Sequence, residues 1–167
     1  MSQDSGLKDK ISTAISDITK FPGKCNGAVN VLRHFGAAAE EALPALATLF
    51  SGSNRNLRGA AAGAIGEIGA ACAASYADGN IHSLGGLAVA MRELNYRFEE
   101  MGNEEDFGVR GCIHEAHEKV LLAYEEIGSP PLPAPPRVPY QGTLYSVGTA
   151  LENYQAVTSS RATTPRP

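Results

Sequence analysis

Apolar residues recur three and four positions apart along most of the first 128 residues, and this spacing predicts a series of amphipathic α-helices. Polar turns and glycines separate the segments. No stretch alternates apolar and polar residues as a half-buried strand does. The predicted fold class is therefore all-α. The predicted helices cover residues 5–20, 24–35, 38–51, 55–68, 81–101 and 105–127.

Local chemistry marks the ends of several predicted helices. Ser5 is the predicted N-cap of the first helix, which stops at Phe21-Pro22-Gly23. Gly36 and Gly69 are predicted to close the second and fourth helices. Residues 70–80 fit either a continuing helix or a loop that ends in an Asp-Gly-Asn turn.

The apolar faces of these helices predict one shared core. Small residues in 54–69 and 81–101 are expected to let neighbouring helices approach closely. The residues predicted to face the core are Leu7, Ile11, Ile15, Ile18, Ala28, Val31, Leu32, Phe35, Ala42, Leu43, Leu46, Leu49, Phe50, Leu57, Ala61, Ala64, Ile65, Ile68, Leu84, Leu87, Ala88, Met91, Leu94, Phe98, Val109, Ile113, Ala116, Val120, Leu121, Ala123, Tyr124 and Ile127.

Residues 36–69 form the most informative stretch, because they combine two short amphipathic helices with a polar turn between them. Gly36 and Gly69 lie 33 positions apart, and each ends a matching tripeptide, His-Phe-Gly or Glu-Ile-Gly. Leu57-Arg58 precedes the Glu-Ile-Gly at 67–69, and Val109-Arg110 likewise precedes a second Glu-Ile-Gly at 126–128. The residues that carry the pattern are Ala42, Leu43, Pro44, Leu46, Leu49, Arg58, Ala61, Ala64, Ile65, Ile68 and Gly69.

This pattern resembles a HEAT repeat, the helix-turn-helix unit of α-solenoids. The resemblance implies three stacked helical hairpins over residues 1–128 and a surface to which other proteins bind. A plain helical bundle is the alternative. The resemblance also implies that Pro44 bends its helix and that Arg58 and Arg110 begin the inner helices. HEAT repeats usually have an aspartate in the turn between their two helices, and it forms a ladder between repeats with an arginine of the inner helix. Ser53 and Asn54 occupy this turn here, so a polar cap is expected in place of a charged ladder.

Composition and charge narrow the possible partners. Hydrophobic residues make up 43% of the 167-residue chain, and its formal net charge of -4 argues against a general nucleic-acid binder. Residues 93–128 hold 10 acidic and 3 basic side chains, whereas residues 129–167 hold 1 and 3. The acidic block predicts either a solvated face or a docking face for a basic partner or for the chain's own tail.

The sequence predicts a cytoplasmic protein without a membrane span. The N-terminus lacks the apolar region of a signal peptide, and no run approaches ~18 apolar residues. Cys25, Cys72 and Cys112 are widely spaced and lie in apolar helical contexts. We therefore expect buried free thiols in a reducing compartment.

One cluster has the composition of a metal site, namely His114, Glu115, His117 and Glu118. Histidines three apart can share a helix face, but zinc hydrolases use histidines four apart, and no further ligand set is evident. The cluster is therefore predicted to be a polar stripe, with no cofactor, no metal and no catalytic residue. A metal-dependent enzyme that uses these four residues is the alternative.

The C-terminal region divides into three predicted parts. A Pro-rich linker spans 129–141, a short docking helix 142–157 and a flexible tail 158–167. The helix would be stable only when its apolar face docks. The residues predicted to bind a partner are Pro133, Pro136, Tyr140, Leu144, Tyr145, Val147, Leu151 and Tyr154.

Together these patterns predict a non-catalytic scaffold, a structural or accessory subunit of a larger assembly that is anchored by its C-terminal arm. The expected partners are other protein subunits. A homo-oligomer formed by exchange of tails is a further alternative.

Overall fold

The computed structural model describes residues 3–134, and within this range it consists of helices and turns without a β-strand. The predicted all-α class is confirmed for this part of the chain. The α-helices are α1 (Gln3–Lys20), α2 (Asn26–Phe35), α3 (Leu43–Thr48), α4 (Arg55–Ala77), α5 (Ser83–Glu99) and α6 (Phe107–Glu126). Short 3₁₀ segments cover Gly36–Ala42, Leu49–Ser51 and Glu100–Asn103. No helix among the described residues is both long enough and apolar enough to cross a membrane.

The helices pack in two layers, and the helices within each layer are arranged in chain order. In one layer α4 lies between α2 and α6, and in the other α3 contacts both α1 and α5. Each helix also packs against its partner in sequence, so that α1 pairs with α2, α3 with α4, and α5 with α6. The long helix α4 makes the most extensive contacts and forms the centre of the core.

Glycines in α4 and α5 allow this close packing, as the sequence predicts. A Cβ atom added at Gly66 would lie 2.9 Å from the Cβ of Ala116 on α6. One added at Gly69 would lie 2.7 Å from the Cβ of Ala90 on α5, and one at Gly86 2.7 Å from the Sγ of Cys72. The helix axes can approach this closely only because these side chains are absent.

The predicted end of the fourth helix at Gly69 is wrong, because α4 continues to Ala77. Gly69 serves interhelical packing, and the alanines after it are strong helix formers. Residues 70–77 are thus helix, and the turn that follows contains Gly79 with a φ of +98°. Gly36, with a φ of +54°, does end α2 as predicted.

The predicted continuous helix over 38–51 is also wrong. Two 3₁₀ segments flank the six-residue α3, and the backbone at Ala39 departs from helical geometry. Pro44 lies in the first turn of α3, where its missing N–H costs no intrahelical hydrogen bond. It therefore helps to start a helix and does not bend one.

Two smaller predictions need correction. The helix α1 begins at Gln3, so Ser5 lies inside the helix and is not its N-cap. The buried line of α2 runs through Val29 and Leu32 and continues to Cys25 just before the helix, and Val31 is 39% exposed because it lies off this line. Nine other predicted core residues are only half-buried, namely Leu7, Ile15, Ala28, Phe35, Leu84, Phe98, Leu121, Ala123 and Ile127. The rest of the predicted core is buried.

Candidate functional site

An ion-pair network crosses the layer formed by α2, α4 and α6. Glu67 of α4 accepts a hydrogen bond from Arg33 of α2 at 3.1 Å and one from Lys119 of α6 at 2.7 Å. Both bonds end on the same oxygen, Oε1. The Lys119 ammonium and then the Arg33 guanidinium hold the pKa of Glu67 below its ordinary value. One carboxylate thus connects the three helices on the outside of their layer.

A shallow groove of about 480 Å³ lies beside this network, between α4 and α6. Its apolar part includes Leu122, which is 53% exposed. Exposed carboxylates border it at Glu115, Glu118 and Glu126, and within residues 3–134 none of these three forms an ion pair. The lining residues are Glu67, Ala70, Glu115, Glu118, Lys119, Leu122, Ala123 and Glu126.

The turns that precede α4 and α6 meet at one end of the same layer. Asn54 caps α4 by accepting hydrogen bonds from the N–H groups of Asn56 and Leu57. Asp106 caps α6 in the same way, and these backbone bonds hold its pKa below the ordinary value. The polar cap predicted at Asn54 is therefore confirmed.

Ion pairs that the sequence did not predict lie beside that cap. Arg58 donates from Nε and Nη2 to the two carboxylate oxygens of Glu104, each at 2.8 Å. Arg110 donates to the backbone carbonyl of Glu104, and Arg55 lies 3.3 Å from Asp106. The acid comes from the turn of the next helix pair, 46 residues along the chain, so the residues in Arg58's own turn do not indicate it.

The stripe of His114, Glu115, His117 and Glu118 does not converge on one point. His117 stacks on Phe98 of α5, with ring centroids 4.4 Å apart, and its Nε2 lies 2.6 Å from Oδ1 of Asn95. Burial, with a smaller effect of His114, lowers the pKa of His117. His114, Glu115 and Glu118 are exposed. Among the described residues no group of three or more His, Cys, Asp or Glu side chains could hold a metal ion.

The start of the Pro-rich segment is fixed to the helical body. The hydroxyl of Tyr124, near the end of α6, donates to the carbonyl of Pro130 at 2.8 Å. Pro133 is exposed. The rest of the predicted partner-binding set lies outside the described residues, together with most of the predicted linker, the docking helix 142–157 and the tail 158–167. That set comprises Pro136, Tyr140, Leu144, Tyr145, Val147, Leu151 and Tyr154.

The three cysteines are free thiols, and two of them are buried as predicted. Cys72 is fully buried, and burial with the nearby Glu40 carboxylate raises its pKa to about 12. Cys25 is also buried, whereas Cys112 is partly exposed.

Comparison with known proteins finds no match to a family model, to a curated protein or to a solved structure. What the protein does must therefore be inferred from the chemistry of the surfaces described above.

Proposed function

We propose that the protein is a non-catalytic binding subunit of a larger protein assembly. Its helical body would offer a preformed surface, and its C-terminal arm, residues 129–157, would anchor it to a neighbouring subunit. The observation that carries the proposal is the network centred on Glu67, because it connects α2, α4 and α6 on the surface that they share. A surface held in place before binding loses less conformational entropy when a partner docks.

The order of helix packing supports a HEAT-like organisation within this proposal. Neighbouring pairs contact one another in sequence, as stacked repeats do. Arg58 lies in the first turn of an inner helix and contacts the following pair through Glu104, in keeping with the resemblance. Pro44 and Gly69 do not support it, since neither has the role that the repeat implies.

A cytoplasmic location is part of the same proposal. The three cysteines are all unpaired, and a buried free thiol such as Cys72 persists most readily in a reducing compartment.

The experiment that tests the proposal is native co-purification of the full chain, with mass spectrometry of the recovered proteins. We expect stoichiometric partners with the wild type and their loss with Leu151→Asp, because Leu151 belongs to the predicted apolar face of the arm. Thr149→Asp adds the same charge on the opposite side of the predicted helix and should retain the partners.

Two results would contradict the proposal. Recovery of no specific partner by the wild type would remove the assembly role. Stoichiometric metal in untagged protein, lost together with an activity in His114→Ala, would favour the enzyme alternative.

A further inference from the structure

The groove between α4 and α6 combines three features that together identify the chemistry of a partner. It is open, it exposes Leu122, and it is bordered by three carboxylates without an ion-pair partner in the described part of the chain. Its α6 side runs from Glu115 to Glu126, which is about 16 Å at 1.5 Å per residue. That length matches about three turns of a docked helix.

The groove keeps its negative charge because the nearest cation, Lys119, forms its ion pair with Glu67. Glu115 and Lys119 stand four apart on α6 and could pair, but the ammonium of Lys119 is 2.7 Å from Glu67 of α4 instead. Glu115 and Glu118 are therefore left to interact with solvent or with a ligand. A cationic side chain that approached them would gain attraction without breaking an existing ion pair.

We infer that this groove binds a short basic amphipathic helix of a partner protein. The apolar face of that helix would cover Leu122 and Ala123, and its lysines or arginines would reach the carboxylates at the border. This is helix-in-groove recognition with charge complementarity at the edges. The inference rests on the proposed function, because it names the class of partner that the helical body binds.

Charge argues against two other occupants. The predicted docking helix of this chain, 142–157, contains Glu152 as its sole charged residue, and the arginines of the C-terminal region lie outside that helix, at Arg137, Arg161 and Arg166. Its apolar face therefore carries no cation of its own to the groove. A second copy of the protein has a net charge of -4 and would bring like charge to an acidic surface. A basic segment of a different protein meets neither objection.

The test is a titration of the full chain into a labelled peptide, followed by fluorescence anisotropy. The probe is a fluorescein-labelled synthetic peptide of about 15 residues with leucines on one helical face and lysines on the other. A peptide of the same composition, reordered so that it has no apolar face, is the peptide control. We expect saturable binding of the first peptide that weakens as salt is raised, and at least tenfold weaker binding of the second.

Three variants locate the site on the protein. Glu115→Lys with Glu118→Lys should weaken binding at least tenfold, whereas Glu99→Lys with Glu105→Lys makes the same charge change outside the groove and should alter it less than twofold. Leu122→Asp should weaken binding at least fivefold although it makes the groove more acidic. Far-UV circular dichroism checks that each variant remains helical.

Each contrary outcome has a distinct meaning. If both charge-reversal variants lose the same affinity for the peptide, or if both peptides bind equally well, binding depends only on the overall charge of the protein. Either result would overturn the inference. Tighter binding of a peptide spanning residues 135–167 would assign the groove to the chain's own C-terminus. A dimer that Leu122→Asp dissociates would assign it to a second copy.

Failure here can be separated from failure of the proposed function. If the groove variants bind the probe as the wild type does while Leu151→Asp alone loses partners in co-purification, the binding-subunit proposal stands and the groove inference is wrong.

Discussion

Arg58 and Glu104 form an ion pair through two hydrogen bonds of 2.8 Å each, one to each oxygen of the carboxylate. Both side chains are only 15% exposed. Arg58 also donates from Nη1 to the carbonyl of Gly52 at 2.9 Å. One guanidinium thus holds the turn before α4 and the turn before α6 together. The planar fork of arginine suits this role, and the point charge of lysine does not.

We expect Arg58→Ala to lower the free energy of unfolding by about 2 kcal/mol, since it leaves a largely buried carboxylate without its partner. Arg58→Lys should cost about 1 kcal/mol, because it keeps the charge but loses the paired bonds. Urea denaturation followed by far-UV circular dichroism measures both values. A double-mutant cycle with Glu104→Gln isolates the pair, and a coupling energy near zero would contradict the assigned role.

Acid should weaken the fold through the same carboxylate. The guanidinium of Arg58 lowers the pKa of Glu104 in the folded protein, whereas the unfolded chain has a value of about 4.3. The stability from this pair is therefore complete above the unfolded value and is lost as the pH falls through the lower, folded value. The stability that Glu67 contributes is lost in the same way as the pH falls, because Lys119 and Arg33 lower its pKa.

Urea midpoints measured between pH 7 and pH 3 test this linkage. Glu104→Gln should be less stable than the wild type at pH 7, and the two should converge as the wild-type carboxylate becomes protonated. A stability difference that stays constant down to pH 3 would show that Glu104 does not titrate with a lowered pKa.

The helical class and much of the core could be predicted from the sequence, because helical periodicity is a local property. Ile65, Ile68 and Leu94 recur at that period and are fully buried. The length of α4 could not be settled in the same way. A glycine that ends a helix and a glycine that admits a neighbouring helix look alike in sequence, and Gly69 is the second kind.

The ion pairs between helices were harder to predict, because their partners come from distant parts of the chain. Arg58 and Glu104 are 46 residues apart, and Glu67 and Lys119 are 52 apart. The His-Glu stripe shows that nearness in sequence does not by itself make a site. Its residues are close in sequence, yet they differ in surroundings. His114 and His117 both lie beside the ring of Phe98, with centroids 5.8 and 4.4 Å away, whereas Glu115 and Glu118 are exposed.

Close packing of α4 on α6 makes Gly66 intolerant of a larger side chain. In Gly66→Ala the new Cβ would lie 3.0 Å from the Cα of Ala116, a backbone atom that can move only with its helix. We expect a loss of about 1–3 kcal/mol, as for overpacked cores, despite the better helix propensity of alanine. The measurement is again the urea midpoint.

Gly63→Ala is the matched control on the same helix. Its nearest neighbour would be Nη1 of Arg33 at 3.9 Å, which is ordinary contact, so propensity should stabilise this variant by up to about 1 kcal/mol. Equal destabilisation of both variants would mean that the packing of α6 on α4 does not set the cost.

Thiol labelling can report how firmly α4 is held in the core. The Cys72 side chain is fully buried, its Sγ lies 3.9 Å from Oε2 of Glu40, and burial with that carboxylate raises its pKa to about 12. Because the thiolate is the reactive form, Cys72 should resist iodoacetamide at pH 7.5, while the partly exposed Cys112 is labelled first.

Peptide mass spectrometry of timed samples assigns the labelled sites, and Cys112→Ser confirms the first assignment. In denaturing urea all cysteines should react at similar rates. Labelling of Cys72 as fast as Cys112 in native buffer would instead reveal frequent local opening of α4 from its neighbours.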